Sequence, residues 1–139
     1  MNSTFDLERF VAAQDPVLET VKAELRAGRK RTHWMWFVFP QLRGLGRSFT
    51  AQEFGISGKA EAAEYLKHPI LGPRLLECTR LVNVIDGRSA FEVFSNPDDL
   101  KFWASMTLFA QVDPVCEEFA TALQKYFQRE LHQMTMDLL

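Results

Sequence analysis

Between Gly28 and Ser48 the chain gathers residue types that could bind an anion carrying a flat ring: Arg29, Lys30, Arg31, His33, Trp34, Trp36, Phe37, Phe39, Gln41, Arg43, Gly44, Gly46, Arg47 and Ser48. Guanidinium groups give paired hydrogen bonds to phosphate or carboxylate, so Arg29, Arg31, Arg43 and Arg47 are the candidate anion ligands. The indoles of Trp34 and Trp36 offer faces on which a ring could stack. Gln41 could read an amide or a base edge, and Ser48 closes the run with a hydroxyl. Backbone N–H groups beside Gly44 and Gly46 could approach an oxyanion. Histidine is the side chain suited to proton transfer near neutral pH, so His33 is the one candidate catalytic residue. From the following segments, His68 and Arg74 could reach the same place.

Each of these residues also has a simpler reading. Large aromatics dominate cores, so Trp36, Phe37 and Phe39 are explained by packing alone. Arg29, Lys30 and Arg31 follow a helix end, where cations are favoured without any ligand. The Gly44-Leu-Gly46 triplet lacks the rest of a dinucleotide fingerprint and the Lys-Ser/Thr of a P-loop. The coincidence of all these features within one short segment sets it apart.

Charge points to the same place. The chain has 139 residues and a formal net charge of −2. Residues 22–47 carry seven basic side chains against the single acid Glu24, a balance of +6, while residues 1–21 carry −3 and residues 48–139 carry −5. The acidic remainder argues against general or specific nucleic-acid binding. The longest uncharged runs, 32–42 and 102–112, have eleven residues each, and a membrane-spanning helix needs about 20. No membrane partner is expected. Met1 to Phe10 lacks a basic region followed by an apolar run, so no signal peptide is read and a cytoplasmic location is expected. Cys78 and Cys116 read as small buried hydrophobes, and His33, His68 and His132 form no metal-ligand spacing. No metal is expected, and no cofactor can be named.

The elements that must position these residues read as helices. Asp15-Pro16, Asn96-Pro97 and Asp113-Pro114 each look like an N-cap acceptor followed by proline at the first helical position. Leu7, Phe10 and Val11 make a short leading helix. Val17, Leu18, Val21 and Leu25 follow helical spacing, and Gly28 supplies the stop. Further helices are predicted over 60–66, 71–85, 89–94, 100–111 and 115–127. The segment 100–111 is apolar nearly all round and belongs at the centre of the core. Ser105 and Thr107 within it are expected to bond back to the preceding turn. Trp36–Phe39 is a candidate short strand, although no partner run alternates convincingly. Gln41–Gly58 has loop composition, and a loop that long is often functional. Together these readings predict an all-α protein. It is a compact single-domain orthogonal bundle of about six to eight helices over residues 1–139, with one long loop.

The runs Phe10-Val-Ala-Ala-Gln14, Gly28 to Gln41 with its His-Trp-Met-Trp-Phe centre, Gly44-Leu-Gly-Arg-Ser48, Gly55-Ile-Ser57, Tyr65 to Arg74, Asp98-Asp-Leu-Lys101 and Ser105-Met-Thr-Leu-Phe109 carry a resemblance. Over nearly the whole chain, from about Phe5 to Leu139, the sequence resembles a bacterial family of unknown function whose members are often labelled "calpastatin". The resemblance implies a small, mainly α-helical bacterial protein and no established activity, substrate or cofactor. The label carries no functional weight, because calpastatins are disordered and this composition is globular. The chain departs from the family pattern at Phe54, where tyrosine is usual. A hydroxyl there cannot be essential. It departs again at Gln128-Arg129, which replaces a glycine-containing turn and alters the path expected of the C-terminal segment.

Two function classes follow. In the first, the 29–48 segment, joined by His68 and Arg74, binds an anionic small molecule or nucleotide-like ligand, with or without catalysis. In the second, the same basic face serves a non-catalytic protein–protein interaction. Oligomeric state is open.

Overall fold

The most apolar segment of the sequence lies at the centre of the molecule. In the computed structural model, which describes residues 5–139, helix α8 (Asp98–Val112) buries Phe102, Ala104, Ser105, Met106, Thr107, Leu108 and Phe109. Around it the chain forms α1 (Glu8–Gln14), α2 (Leu18–Arg26), α3 (Met35–Val38), a 3-10 turn (Arg43–Leu45), α4 (Phe49–Phe54), α5 (Lys59–Lys67), α6 (Leu71–Asn83), α7 (Ala90–Phe94), α9 (Glu117–Phe127) and α10 (Gln133–Leu138). Helices α3, α5, α7, α9 and α10 all touch α8. Among the described residues there is no strand, only an isolated bridge between Leu42 and Ile56. None of these helices is long and apolar enough to cross a membrane. The fold is all-α, and a single hydrophobic cluster runs from Leu7 to Leu123.

Aromatic rings fill the centre. Phe102 meets Phe39 edge-on at 5.0 Å and stacks on Phe94 at 4.8 Å, while Tyr65 lies 5.1 Å from Phe10 and 5.5 Å from Phe109. Edge-to-face and offset pairs at such distances add to simple area burial. Buried polar groups tie the helices together. Gln14, 2% exposed, donates from Nε2 to the Phe37 carbonyl at 2.7 Å and the Tyr65 hydroxyl at 3.1 Å. Arg9 donates to the Glu61 carboxylate at 3.0 Å and to the Glu53 and Gly55 carbonyls, joining α1 to α4 and α5.

Several expectations are corrected here. Trp36–Phe39 is not a strand. Residues 35–38 form the single helical turn α3. Gln41–Gly58 is not one long loop, because it contains the 3-10 turn and α4 and is closed at its neck. There Arg43 N–H donates to Ile56 O, and Ile56 N–H donates to Gln41 O, both at 2.9 Å. Gly55 makes that neck possible, since a Cβ at this position would lie 2.4 Å from the Arg43 Cα. The described residues form ten α-helices where about six to eight are predicted, and the additional ones are the short α3, α4 and α10.

The proline signals are also corrected. Asp15 and Asp113 close α1 and α8, donating their backbone N–H groups to Val11 O and Phe109 O. Pro16 and Pro114 then lie in turns, and α2 and α9 begin only at Leu18 and Glu117. A proline just past a helix is as good a stop signal as a proline at a helix start. Asn96 does not accept as an N-cap; its amide donates to Asp99 Oδ1 at 3.2 Å. By contrast, Ser89 and Glu92 form a full capping box on α7.

Candidate functional site

The basic–aromatic segment is organised by an acid. Glu24, on the inner face of α2, is 8% exposed. Its Oε1 accepts from the Arg31 N–H at 2.7 Å, the Thr32 N–H at 3.1 Å and the Trp34 indole at 2.9 Å, and its Oε2 accepts from the Thr32 hydroxyl at 2.6 Å. Burial alone would push the carboxyl up. These four hydrogen bonds outweigh it and hold the pKa down to about 2. Trp34 is consequently a core residue, 1% exposed, with the Lys30 ammonium 5.1 Å from its ring centroid. No face of Trp34 is open to a ligand.

The other residues of the segment point elsewhere. His33, Arg29, Arg31 and Arg47 are exposed, and none has a side-chain hydrogen bond or ion pair among the described residues. Arg43 donates to the Gly55 carbonyl at 3.2 Å, and Ser48 accepts from the Ala51 N–H at 3.1 Å as the N-cap of α4. His68 uses Nδ1 to accept from the Ile70 and Leu71 N–H groups at 3.1 and 3.3 Å, ahead of α6. Arg74 is 2.8 Å from Asp15 Oδ1 and donates to the side-chain amide oxygen Oε1 of Gln14 at 3.4 Å. His33, Trp34 and Arg47 do not line one concave pocket; one faces the core and two face solvent.

Two of the predicted ligand residues, Trp36 and Gln41, do meet in a cleft, where α3 and the 3-10 turn approach α8 and α10. An inner crevice is floored by Met35, Phe39 and Phe54, with Trp36, Gln41 and Lys101 around it, and its volume of about 10 Å³ suits about one water. Gln41 and Lys101 also border an outer cleft of about 220 Å³, whose remaining walls are Leu45, Pro97, Leu100, His132 and Met134. The Lys101 ammonium lies 4.3 Å from the Trp36 ring centroid and 3.4 Å from Asp98 Oδ1. The other Asp98 oxygen is 2.9 Å from Lys30. One carboxylate is thus shared between two lysines.

His132 is fixed at the mouth. Its backbone N–H donates to the Thr107 hydroxyl at 3.0 Å, and its ring stands edge-on to Trp103 at 5.2 Å. Its Nδ1 caps α10 by accepting from the Thr135 N–H at 3.3 Å. With Nδ1 accepting, the neutral ring carries its proton on Nε2. Burial pushes the His132 pKa down from its ordinary value, which favours the neutral ring. The Gln41 side-chain amide has no hydrogen-bond partner among the described residues. The cleft therefore offers a cation, a free amide and a neutral imidazole N–H on apolar walls.

Sequence reasoning finds Trp36 and Gln41 but misses Lys101, His132, Leu100 and Met134. Only the Asp98–Lys101 spacing, a helical i, i+3 charge pair, offers a local signal, and it indicates an ion pair rather than a cleft. Thr107 serves His132 instead of bonding back to its own turn, and the Ser105 hydroxyl, fully buried, has no hydrogen-bond partner among the described residues. Burial pushes the Cys78 thiol up to about 12 and raises Cys116 as well, so neither is a thiolate at neutral pH.

Comparison with known proteins places the fold. The chain is similar to the conserved hypothetical protein Rv1873 from Mycobacterium tuberculosis, known from a crystal structure. The two are 56% identical over 99% of this chain and 98% of that one, with a TM-score of 0.97. No curated protein matches. A family model described as "Protein of unknown function (DUF1810)" matches residues 4–139, and the chain belongs to that family.

Proposed function

We propose that this protein binds a small anionic molecule, and that the 29–48 segment contributes to the site through Trp36 and Gln41 rather than through its arginines. The observation that carries this reading is one cleft lined by Lys101, the unpartnered Gln41 amide and the Nε2–H of His132, with apolar walls between them. A few polar groups with hydrogen-bonding capacity to spare, set in an apolar concavity, are what ligand sites are made of. The reading gives His33 no part in binding and assigns no reaction. Free Cys78 and Cys116 support a reducing, cytoplasmic setting.

The test is thermal unfolding with a panel of carboxylates, phosphates and nucleotides, on the wild type and on Lys101→Met. An anion at 100 times its Kd stabilises the folded state by about 2.7 kcal/mol. The expected result is a rise in Tm that Lys101→Met removes. A rise that survives in Lys101→Met places binding elsewhere and defeats the reading.

A protein-interaction reading retains one supporting observation. Lys30 N–H donates to Val93 O at 2.8 Å, which sets exposed Arg29 and Arg31 beside α7, where Phe91 is 60% exposed. Unpaired cations on a segment bonded to a helix that carries an exposed ring suit an acidic partner. Binding of an acidic peptide with a central aromatic, abolished by Arg31→Glu, would favour it. An unchanged affinity in Arg31→Glu would remove it.

A further inference from the structure

We infer that the ligand of the cleft is a small monoanionic carboxylate with an apolar body, and not a nucleotide or another phosphate-rich molecule; the inference rests on the anion-binding reading above. Charge is the first argument. Among the described residues Lys101 is the one lysine or arginine bordering the outer cleft, and its ion-pair acid, Asp98, is already shared with Lys30. Two lysines and one carboxylate leave one net positive charge at the site. A dianion or a di- or triphosphate would meet Asp98 with its excess charge unpaired. The arginines that could neutralise more phosphate do not reach the cleft: Arg43 is turned to Gly55 O, and Arg29, Arg31 and Arg47 lie in solvent.

Donor geometry and size agree. A carboxylate is a planar acceptor with two oxygens, and the cleft presents three donor groups: the Lys101 ammonium, the Gln41 amide and the His132 Nε2–H. The space of about 220 Å³ falls below the roughly 300–1,000 Å³ of sites that hold drug-sized ligands. A nucleoside with its phosphates exceeds it, whereas an aryl or short alkyl acid fits. The walls are suited to such a body. Leu45 and Pro97 line the cleft, and Leu100 and Met134 remain 43% and 61% exposed at its rim. An apolar ligand would cover these two side chains, which the protein itself leaves open to water.

The experiment is a two-dimensional amide NMR titration of the full chain with three probes: phenylacetate, phenethylamine and adenosine monophosphate. The Gln41 side-chain NH2 is a direct reporter, because no hydrogen bond holds it among the described residues. Phenylacetate is expected to shift the Gln41 side-chain signals and the backbone signals of Lys101, His132 and Met134. Phenethylamine is expected to leave them in place, and adenosine monophosphate to act at least tenfold more weakly than phenylacetate. Lys101→Met should weaken phenylacetate binding at least tenfold and Lys101→Arg should retain it, with Met134→Trp, which fills the rim, as a second variant that leaves the charge intact and blocks entry. If adenosine monophosphate shifts the same signals at lower concentration than phenylacetate, the monoanion inference is overturned while the anion cleft stands. If phenethylamine binds as well as phenylacetate, or no probe moves these signals at tens of millimolar, the anion-binding reading falls and this inference with it.

Discussion

The Trp34 indole donates its Nε1–H to the Glu24 carboxylate at 2.9 Å, so the single acid within the basic block is the group around which the block folds. Three backbone and side-chain donors from Arg31 and Thr32 complete its surroundings. A carboxyl held at about 2 in the folded chain, against an ordinary 4.5, stabilises the fold fully above the ordinary value. That stability is lost as pH falls from about 4.5 towards 2. Glu24→Gln should cost about 2–3 kcal/mol at pH 7, in the range for hydrogen bonds to a charged group. Urea unfolding of both proteins at pH 7, 4 and 3 checks this. The gap between them should narrow as the pH is lowered, and a gap independent of pH would show that the carboxylate charge contributes nothing.

Ser105 gives a prediction of opposite sign. Its hydroxyl is fully buried on α8 and has no hydrogen-bond partner among the described residues. Ser105→Ala removes a desolvated polar group and leaves only the volume of one oxygen. It should stabilise the protein by about 1 kcal/mol. Thermal unfolding should show a Tm higher by roughly 3–5 °C. A lower Tm would mean that the hydroxyl is satisfied in solution.

Much of this architecture is legible in the sequence, and the misreadings have physical causes. The Val21–Leu25 spacing and the apolar run around Phe109 each act within one helix, so local pattern suffices. Helices α3, α4 and α10 have only four to six residues, too few for an apolar stripe to repeat. Tertiary contacts hold them instead, as the neck at Arg43 and Ile56 holds α4. At the site, Trp36 and Gln41 stand out because they lie in the aromatic run. Lys101 and His132 reach the same cleft from α8 and from the start of α10, and nothing local to either residue announces the meeting. Trp34 shows the converse error. Its ring looked suited to stacking on a ligand, but the buried acid one α-helix earlier takes its N–H and draws it inside.

The turn after α9 carries an avoidable cost. Gln128 and Arg129 both have left-handed backbones, with φ of 54° and 68°. This is the place where the family resemblance led us to expect a glycine-containing turn. Arg129 is exposed and its side chain has no partner among the described residues. Relief of the left-handed penalty, about 1–2 kcal/mol per residue, exceeds the added freedom of glycine in the unfolded chain. Arg129→Gly should therefore raise the free energy of unfolding in urea by about 0.5–1 kcal/mol. A loss of stability would show that the arginine makes a compensating contact.

Thr107 is expected to govern the C-terminal helix more than the whole fold. Its hydroxyl accepts the His132 N–H at 3.0 Å, next to the Trp103 indole that donates to Glu130 O at 2.8 Å. Thr107→Val leaves that N–H without its acceptor at a cost of about 1–3 kcal/mol, concentrated at the start of α10. Hydrogen exchange should accelerate at least tenfold over residues 132–139 while α8 exchanges at a nearly unchanged rate. Uniform acceleration through α8 and α9 would show that α10 unfolds only with the rest.

The three tryptophans occupy three different settings, and this makes the molecule its own set of optical probes. Trp34 is sealed in the core against a carboxylate, Trp36 lies under the Lys101 ammonium, and Trp103 is stacked on Phe127 at an interplanar angle of 9° with His132 at its edge. Each indole therefore reports on a different part of the fold: the buried acid, the inner crevice and the C-terminal clasp. A chain that keeps one tryptophan and carries phenylalanine at the other two positions has an emission spectrum assigned to a single region, so core melting, cleft occupancy and clasp opening become three separable signals.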